Sequence, residues 1–256
     1  SIGRNLGFVW SPGGFLEGFN MGVDWWKIRV DNTMVTDTPT QILFDCYVQN
    51  IASRCGNFTR DPAQGYVNSM RFGLRNAGYI EVEGYDVDFS YKWETDFGAF
   101  NASLLSTYVS GNEFRSTNDP EALPTQNNSF GSNYRLRSNA SISWSWQDFG
   151  VTYGARYYSK MKEACLSAVQ FPDECSNPDY VSGTGSAQPI NVVGSNTFHD
   201  IQFRWTTPWK SVVSVGANNV FDHYGPPLYT QVDSNVSYNG GFDIGRFWYL
   251  KYQQNF

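Results

Sequence analysis

The sequence predicts an all-β protein, an antiparallel β-barrel that spans a membrane, and three observations support this. Apolar and polar residues alternate over strand-length segments. Aromatic residues make up 17% of the 256 residues and charged residues only 16%, whereas an ordinary soluble domain has roughly 25% charged residues. Short and long connections alternate along the chain. Together these features are typical of an outer-membrane barrel.

The mean hydropathy of −0.43 is too polar for a protein that crosses a membrane with helices. A barrel wall alternates lipid-facing with lumen-facing residues, so its average hydropathy is moderate. The sequence contains no run of about 20 apolar residues and therefore predicts no membrane-spanning helix. A net charge of −6 without a basic patch argues against nucleic-acid binding.

The clearest alternation covers residues 84–94. One face of this segment carries apolar and aromatic side chains, namely Tyr85, Val87, Phe89, Tyr91 and Trp93. The other face carries polar and charged side chains, namely Asp86, Asp88, Ser90, Lys92 and Glu94. A tilted strand needs about 9–11 residues to cross a bilayer. The segment is therefore predicted to be a transmembrane strand whose aromatic side meets lipid and whose charged side faces the lumen.

The same pattern predicts nine strands in the order of the chain. They lie at about 6–10, 19–31, 79–95, 99–111, 134–146, 149–160, 196–206, 211–221 and 245–256. The turns at 11–18, 96–98, 147–148 and 207–210 are short, and the loops at 32–78, 112–133, 161–195 and 222–244 are long. In outer-membrane barrels the short turns are periplasmic and the long loops extracellular. We expect the same orientation here, with a periplasmic C-terminus.

Nine is an odd number, whereas bacterial single-chain barrels have an even number of strands. Either one strand escapes the pattern, or the chain is the latter part of a larger barrel. Strand-like sequence begins close to Ser1, which favours the second alternative. On that reading, both the first and the last strand pair with sequence outside residues 1–256.

The long loops contain four cysteines in two close pairs, Cys46 with Cys55 and Cys165 with Cys175. Neither pair has metal-ligand spacing. Two local disulfides formed in an oxidising compartment are the favoured interpretation, and four unlinked thiols are the alternative. Residues 39–49 could form a short helix in the first long loop, with Thr38 as its N-cap and Pro39 in its first turn.

Several segments carry motifs of a known protein family. Residues 218–222 are Asn-Asn-Val-Phe-Asp and are followed by Pro226 and Pro227. This stretch is similar to the one before the last strand of the TonB-dependent receptors of bacterial outer membranes. The segment 245–256 is similar to that last strand, although Gln254 stands where an apolar residue is usual. Its alternate positions resemble the signal read by the barrel-assembly machinery, and they are Trp248, Leu250, Tyr252 and Phe256. Residues 18–28 and 76–88 resemble earlier strands of the same family.

The resemblance implies a 22-stranded barrel plugged by an N-terminal globular domain. Residues 1–256 would form its last nine strands, without the plug and the earlier strands. It also implies uptake of a scarce ligand, such as a siderophore or an oligosaccharide, with energy supplied by TonB. The expected partners are outer-membrane lipid and lipopolysaccharide, the barrel-assembly machinery, the TonB complex acting through a plug, and the ligand itself.

Two groups of residues are candidates for ligand contact. The loop aromatics Tyr224, Tyr229 and Tyr238 could stack on a sugar ring or a siderophore, although an aromatic girdle or loop packing explains them about as well. Asp86 and Asp88 point into the predicted lumen, where such residues more often pair with a plug or with neighbouring strands. The tryptophans of the wall are most simply anchors at the lipid interface, namely Trp144, Trp146, Trp205 and Trp248.

Two other functional classes stay open at this point. A complete small barrel could act as an adhesin or a barrel enzyme, and a soluble β-sandwich could act as a binding module. A hydrolase would need Ser, His and a polar orienting group at one site. The two histidines, His199 and His223, have no such surroundings in the sequence, so we expect no enzyme. No phosphate-binding loop or metal-ligand cluster stands out, so no cofactor and no metal are expected.

Overall fold

The computed structural model describes residues 1–256 except 49, 119–120, 132, 167–169, 183–187, 226–227, 229, 231–244 and 255–256. Nine long strands in this part of the chain form one continuous antiparallel sheet, in which each strand pairs with its neighbours in sequence order. These wall strands are β1 Ile2–Trp10, β2 Phe19–Thr36, β3 Leu74–Thr95, β4 Gly98–Arg115, β5 Leu136–Trp146, β6 Phe149–Tyr158, β7 Asn196–Thr206, β8 Ser211–Asn218 and β9 Phe247–Gln254. The nine predicted strands are thus confirmed.

The strand registers place the apolar positions of neighbouring strands side by side. Trp25 of β2 lies opposite Tyr85 of β3, and Tyr85 lies opposite Tyr108 of β4. At the far edge of the sheet, Val215 of β8 lies opposite Leu250 of β9 on this same face. One side of the whole sheet therefore carries the apolar rows, and we call it the aromatic face. The opposite side, which includes Asp86, Asp88 and Arg137, is the polar face.

The aromatic face is exposed in this sheet. Leu6 and Leu250 each expose 73% of their surface, and Phe8 exposes 60%. Aromatic rings contact one another along this face, as in the stacked pair Trp93 and Phe100 with ring centroids 5.0 Å apart. A contiguous exposed apolar surface of this extent marks contact with another apolar phase or a partner.

Strands β2 and β3 reach farther toward the long loops than predicted. β2 ends at Thr36 rather than near 31, and β3 begins at Leu74 rather than near 79. The apolar alternation stops there, but the backbone ladder continues, with Thr33 opposite Ala77 and Thr36 opposite Leu74. Thr33 also donates from Oγ1 to the Ala77 carbonyl at 3.0 Å. Likewise β1 begins at Ile2 rather than near 6, paired with Arg29.

Gly78, near the start of the segment 76–88 singled out in the sequence, has a backbone function in this extension. Gly78 has φ +61°, a conformation that favours glycine. Its α-carbon lies against the carbonyl of Arg115 on β4, where a β-carbon would clash. The Gly78 N–H donates to Asn118 Oδ1 at 2.7 Å. A side chain at this position would separate β3 from β4.

The first long loop, between β2 and β3, contains the predicted helix. Helix α1 spans Pro39–Tyr47, and Thr38 caps it by accepting from the Gln41 N–H at 3.2 Å. A second helix, α2, spans Ala52–Cys55, and a hairpin joins Phe58–Arg60 to Val67–Met70. The predicted disulfide Cys46–Cys55 links the two helices with an S–S distance of 2.07 Å.

The third long loop carries the second predicted disulfide, Cys165–Cys175, with an S–S distance of 2.05 Å. A hairpin of Met161–Ala164 and Ile190–Val193, not predicted from the sequence, extends above β6 and β7. Its residues Met161 and Val193 belong to a buried cluster completed by Tyr134, Phe198 and Leu228. The loops are therefore packed onto the ends of the strands by a small hydrophobic core of their own.

β1 and β9 lie at the two ends of the sheet order, so the part of the chain described here does not form a closed small barrel. A β-sandwich needs two sheets packed face to face, whereas the two additional sheets in the described residues have only two strands each. None of the helices within the described ranges has the length and apolar character needed to cross a membrane.

Candidate functional site

The polar face of β2 and β3 carries a group of carboxylates. Asp24 lies opposite Asp86 in the strand register, and Asp88 lies farther toward the short turns. Glycines make room for two of them, because the Asp24 carboxylate lies against Gly7 and the Asp88 carboxylate against Gly22. A β-carbon at either glycine would clash with the carboxylate oxygen. The backbone of this face is thus shaped to accept acidic side chains.

These carboxylates repel one another, since like charges directly opposite in a sheet are destabilising. Among the described residues, Asp24, Asp86 and Asp88 form no ion pair. Asp86 Oδ1 accepts one hydrogen bond, from Thr107 Oγ1 at 2.7 Å. Asp86 and Asp88 are exposed, so this part of the polar face presents negative charge without ion-pair partners among the described residues.

The polar face also carries arginines farther along the sheet. Arg137 of β5 lies opposite Thr107, on the side of Thr107 away from Asp86. On β6 and β7, Arg156 and Asp200 form a two-bond pair, with distances of 3.0 Å from Nε and 3.1 Å from Nη2. A shallow cavity of about 210 Å³ lies beside Arg137, lined also by Leu105, Thr107, Asn139 and Tyr158. The sequence alternation places these arginines on the polar side but does not indicate which strands lie between them and the carboxylates of β2 and β3.

A larger cavity, of about 700 Å³, lies toward the short turns. Its polar lining comes from the polar face, with Lys92 and Glu94 of β3 and Asn101 of β4, and Phe15 of the first turn borders it. This cavity is part of the same polar face.

The predicted ligand residues do not form one cluster in the described part of the chain. Asp86 and Asp88 lie on β3, whereas Tyr224 follows β8 in a long loop, and four strands, β4 to β7, lie between them in the sheet order. Tyr224 is 60% exposed. Tyr229 and Tyr238 lie outside the described residues, so the predicted stacking of the three tyrosines stays a prediction.

The motif at 218–222 anchors the chain before the last strand. Asn219 is 3% exposed, and its backbone N–H donates to Asp200 Oδ1 at 2.8 Å. Its side chain bonds the backbone of His223 in both directions, donating to O at 2.8 Å and accepting from N at 3.0 Å. Asp222 Oδ1 accepts from the Arg246 N–H at 2.6 Å. The motif therefore fixes both the start and the end of the final long loop.

Both histidines have partners other than serine. His199 Nδ1 and Tyr153 OH are 2.5 Å apart, and His223 Nε2 and Asn196 Oδ1 are 2.6 Å apart. Within the described ranges, no group of three or more His, Cys, Asp or Glu side chains could hold a metal ion.

Comparison with known proteins agrees with this architecture. Residues 1–220 match the family model described as TonB dependent receptor-like, beta-barrel. A search of curated proteins finds no match.

Several solved structures share the fold. The siderophore receptor PirA from Acinetobacter baumannii has a TM-score of 0.58 at 14% identity, over 99% of this chain and 31% of its own. The FrpB iron transporter from Neisseria meningitidis (F3-3 variant) has a TM-score of 0.56 at 17% identity, over 98% and 30%. The ferric enterobactin receptor PfeA from Pseudomonas aeruginosa has a TM-score of 0.55 at 14% identity, over 99% and 31%. The chain thus spans about a third of the length of these structures.

Proposed function

Because the chain belongs to the TonB-dependent receptor-like β-barrel family, we propose that it forms the C-terminal part of the wall of an outer-membrane active transporter. The family match over residues 1–220 carries this proposal. Its solved relatives include an iron transporter and receptors for siderophores. We extend their activity to uptake of a scarce ligand by this protein, a siderophore, an oligosaccharide or a similar molecule.

The two faces of the sheet suit two different environments. The aromatic face meets outer-membrane lipid, and the polar face lines the lumen, because a barrel wall in a bilayer needs one apolar and one polar side. The loops that carry both disulfides are extracellular, and the short turns are periplasmic. An oxidising environment outside the cytoplasm suits the two disulfides.

In the full-length receptor, the uncompensated carboxylates of the polar face would contact the ligand or a plug domain. TonB would act through that plug, and the remaining barrel strands, about thirteen by the family resemblance, would pair with β1 and β9. Trp248, Leu250 and Tyr252 alternate on β9 and, with Phe256 outside the described residues, would present the signal for the barrel-assembly machinery. Transport rather than catalysis also suits the hydrogen-bond partners of the two histidines, a tyrosine and an asparagine.

Uptake by cells that express the full-length protein tests the proposal. A host that lacks its own receptors would be supplied with a panel of iron-loaded siderophores and oligosaccharides. We expect saturable uptake of at least one compound that disappears in a strain without TonB or after a protonophore. Equal uptake with and without TonB would contradict energy-dependent transport.

Substitutions then separate ligand contact from structure. Tyr224→Ala, Tyr229→Ala and Tyr238→Ala should each raise the KM for uptake if the loop aromatics stack on the ligand, and Asp86→Asn and Asp88→Asn should do so if the lumen aspartates contact it. Ser90→Ala, two residues from Asp88 and on the same polar face, is the matched control. Unchanged uptake in all five variants would remove these residues from the ligand site.

A further inference from the structure

The residues of the aromatic face change from apolar to charged toward the long loops. Along the nine strands, the apolar rows of this face contain no Lys, Arg, Asp or Glu between the short turns and the row Trp25, Tyr85 and Tyr108. On β1, β2 and β3, the next positions on the same side are charged. Arg4 lies opposite Lys27, Lys27 opposite Glu83, and Arg29 opposite Glu81. We call Arg4, Lys27, Arg29, Glu81 and Glu83 the rim cluster.

The cluster begins directly above an aromatic row. Lys27 and Glu83 are two residues from Trp25 and Tyr85, about 7 Å along a strand. Trp25 is tied to the cluster, because its indole N–H donates to Glu83 Oε1 at 3.0 Å. In a bilayer, indole and phenol rings lie at the level of the lipid headgroups. The rim cluster therefore lies in the headgroup layer if the aromatic face meets lipid.

The carboxylates of the cluster hold its cations in place. Lys27 Nζ is 2.6 Å from Glu81 and 3.4 Å from Glu83. Arg29 bonds Asp31 through Nε at 2.9 Å and Glu81 through Nη1 at 3.2 Å. The Arg29 guanidinium also lies 3.9 Å from the centre of the Tyr79 ring. These contacts fix a long side chain that would otherwise lose conformational entropy on binding an anion.

After these contacts, the cluster still has N–H groups that can donate to an anion. Nη2 of Arg29 has no hydrogen bond within the described residues, and Arg4 forms no ion pair there. Arg4, Lys27, Arg29, Glu81 and Ile2 surround a cavity of about 250 Å³. An arginine fork and a lysine around one small cavity are suited to the oxygen atoms of a phosphate group.

We propose that the rim cluster binds the phosphate of a lipid headgroup in the leaflet nearest the long loops. A lipid is the occupant because the cavity adjoins the apolar rows, so acyl chains can lie on Leu6 and Trp25 while the phosphate contacts Arg4, Lys27 and Arg29. The short turns, at the opposite end of the strands, have no comparable group of basic residues, since three of their charged residues, Glu17, Asp96 and Asp148, are acidic. The inference rests on the proposed orientation of the aromatic face toward lipid.

The test uses the full-length protein in nanodiscs of phosphatidylcholine with and without diphosphoryl lipid A. Native mass spectrometry counts the lipid A molecules that stay bound. Basic residues near an anionic surface contribute about 1 kcal/mol each, so the triple variant Arg4→Gln, Lys27→Gln, Arg29→Gln should lose roughly a hundredfold in apparent affinity. Arg4→Gln alone, which breaks no ion pair of the described residues, should lose roughly fivefold.

Two matched variants make the result specific. The triple variant Arg4→Lys, Lys27→Arg, Arg29→Lys keeps the charges but loses the arginine forks, so its affinity for lipid A should lie between those of the glutamine triple variant and wild type. Arg137→Gln on the polar face should behave as wild type. Retention by the glutamine variants equal to wild type, or equal loss in Arg137→Gln, would overturn the proposal. Displacement by inorganic phosphate alone would show a site for free phosphate rather than for a lipid. Uptake measured in parallel reports separately on the transport proposal.

Discussion

Arg54 of α2 donates two hydrogen bonds of 2.8 Å to the two carboxylate oxygens of Asp37, at the end of β2. The same guanidinium donates from Nε to Asp45 of α1 at 2.8 Å. Arg75, at the start of β3, adds a bond of 2.7 Å to Asp37. Asp37 and Asp45 are buried. These contacts join both helices of the first long loop to the two strands that enter and leave it.

This group makes the first long loop sensitive to acid. Burial raises the pKa of the Asp37 carboxyl, but the hydrogen bonds from Arg54 and Arg75 outweigh burial, so the pKa lies below the ordinary value of 3.8. A depressed pKa in the folded state gives stability that is present above the unfolded pKa and is lost as the pH falls through the folded pKa. We expect hydrogen exchange in residues 38–48 to accelerate below about pH 4.

The variant Asp37→Asn should remove much of that pH dependence. At neutral pH it should already open the loop, because hydrogen bonds to charged groups contribute about 1.5–3 kcal/mol each. Asp173 is an exposed residue of another long loop, and Asp173→Asn is the control. It should change neither the acid-induced hydrogen exchange of residues 38–48 nor their exchange at neutral pH. An Asp37→Asn variant that keeps the acid-induced exchange of wild type would assign the titration to another group.

The two disulfides should stabilise their own loops and not the wall. Each closes a short segment, with sequence separations of 9 and 10, worth roughly 2–3 kcal/mol in the chain-entropy description. Cys46→Ser with Cys55→Ser should speed proteolysis within the first long loop, and Cys165→Ser with Cys175→Ser within the third. The sheet should survive both, as judged by resistance of the wall strands to the protease. Cleavage of wall strands in either double variant would disprove this independence.

Opposite faces of β3 should respond differently to a new charge. Phe89 lies in the apolar row between Met21 and Leu104, and Phe89→Arg should cost about 2–4 kcal/mol if that row meets the middle of the bilayer. Ser90→Arg, on the polar face, should cost far less. Unfolding by denaturant in lipid vesicles measures both. Similar costs for the two variants would mean that the faces are assigned wrongly.

The sequence allowed the wall to be predicted because its residues alternate with period two, and alternation fixes both the strand and its face. The extension of β2 and β3 was not predictable in this way. There the residues follow no apolar alternation, and the ladder depends on a register, with Thr33 opposite Ala77 and Thr36 opposite Leu74, that the sequence does not provide. Cysteine spacing was sufficient for both disulfides, because a local pair leaves few alternatives.

The candidate site was predictable only in part. Alternation placed Asp86 and Asp88 on the polar face, and the registers agree. The separation of carboxylates on β2 and β3 from Arg137 on β5 depends on which residues lie opposite one another across several strands. The structural role of Asn219 could not be predicted from the sequence, for a different reason. Its partners, Asp200 and His223, lie on either side of β8 in the sequence, and one is a backbone group.

Labelling of introduced cysteines should reveal the orientation in cells. Leu123 in the second long loop and Phe97 in a short turn have nearly equal exposure, 61% and 62%. Leu123→Cys should react with an impermeant maleimide in intact cells, and Phe97→Cys only after permeabilisation. The four native cysteines should not interfere because both pairs are disulfide-bonded. Labelling of Leu123→Cys only after permeabilisation would reverse the proposed topology.

Asn219 should prove more sensitive to substitution than its neighbour Asn218. Asn219 adopts φ 51°, a left-handed conformation that asparagine tolerates and alanine does not. Asn219→Ala therefore loses two side-chain hydrogen bonds and adds backbone strain, for a combined cost of roughly 2–4 kcal/mol. Asn219→Gly loses the same hydrogen bonds but relieves the backbone strain, so its stability should lie between that of Asn219→Ala and that of wild type. Asn218→Ala, exposed in the same motif, is the control.

The readout is the yield of assembled protein in the outer membrane and its resistance to unfolding in detergent. Because Asn219 and Asp222 fix the two ends of the loop before β9, loss of this anchor should weaken the pairing of β8 with β9 first. Hydrogen exchange along Ser211–Asn218 and Phe247–Gln254 should therefore rise more than along β2 and β3. If Asn219→Ala and Asn218→Ala assemble equally well, and exchange in β8 and β9 is unchanged, the motif has no anchoring function.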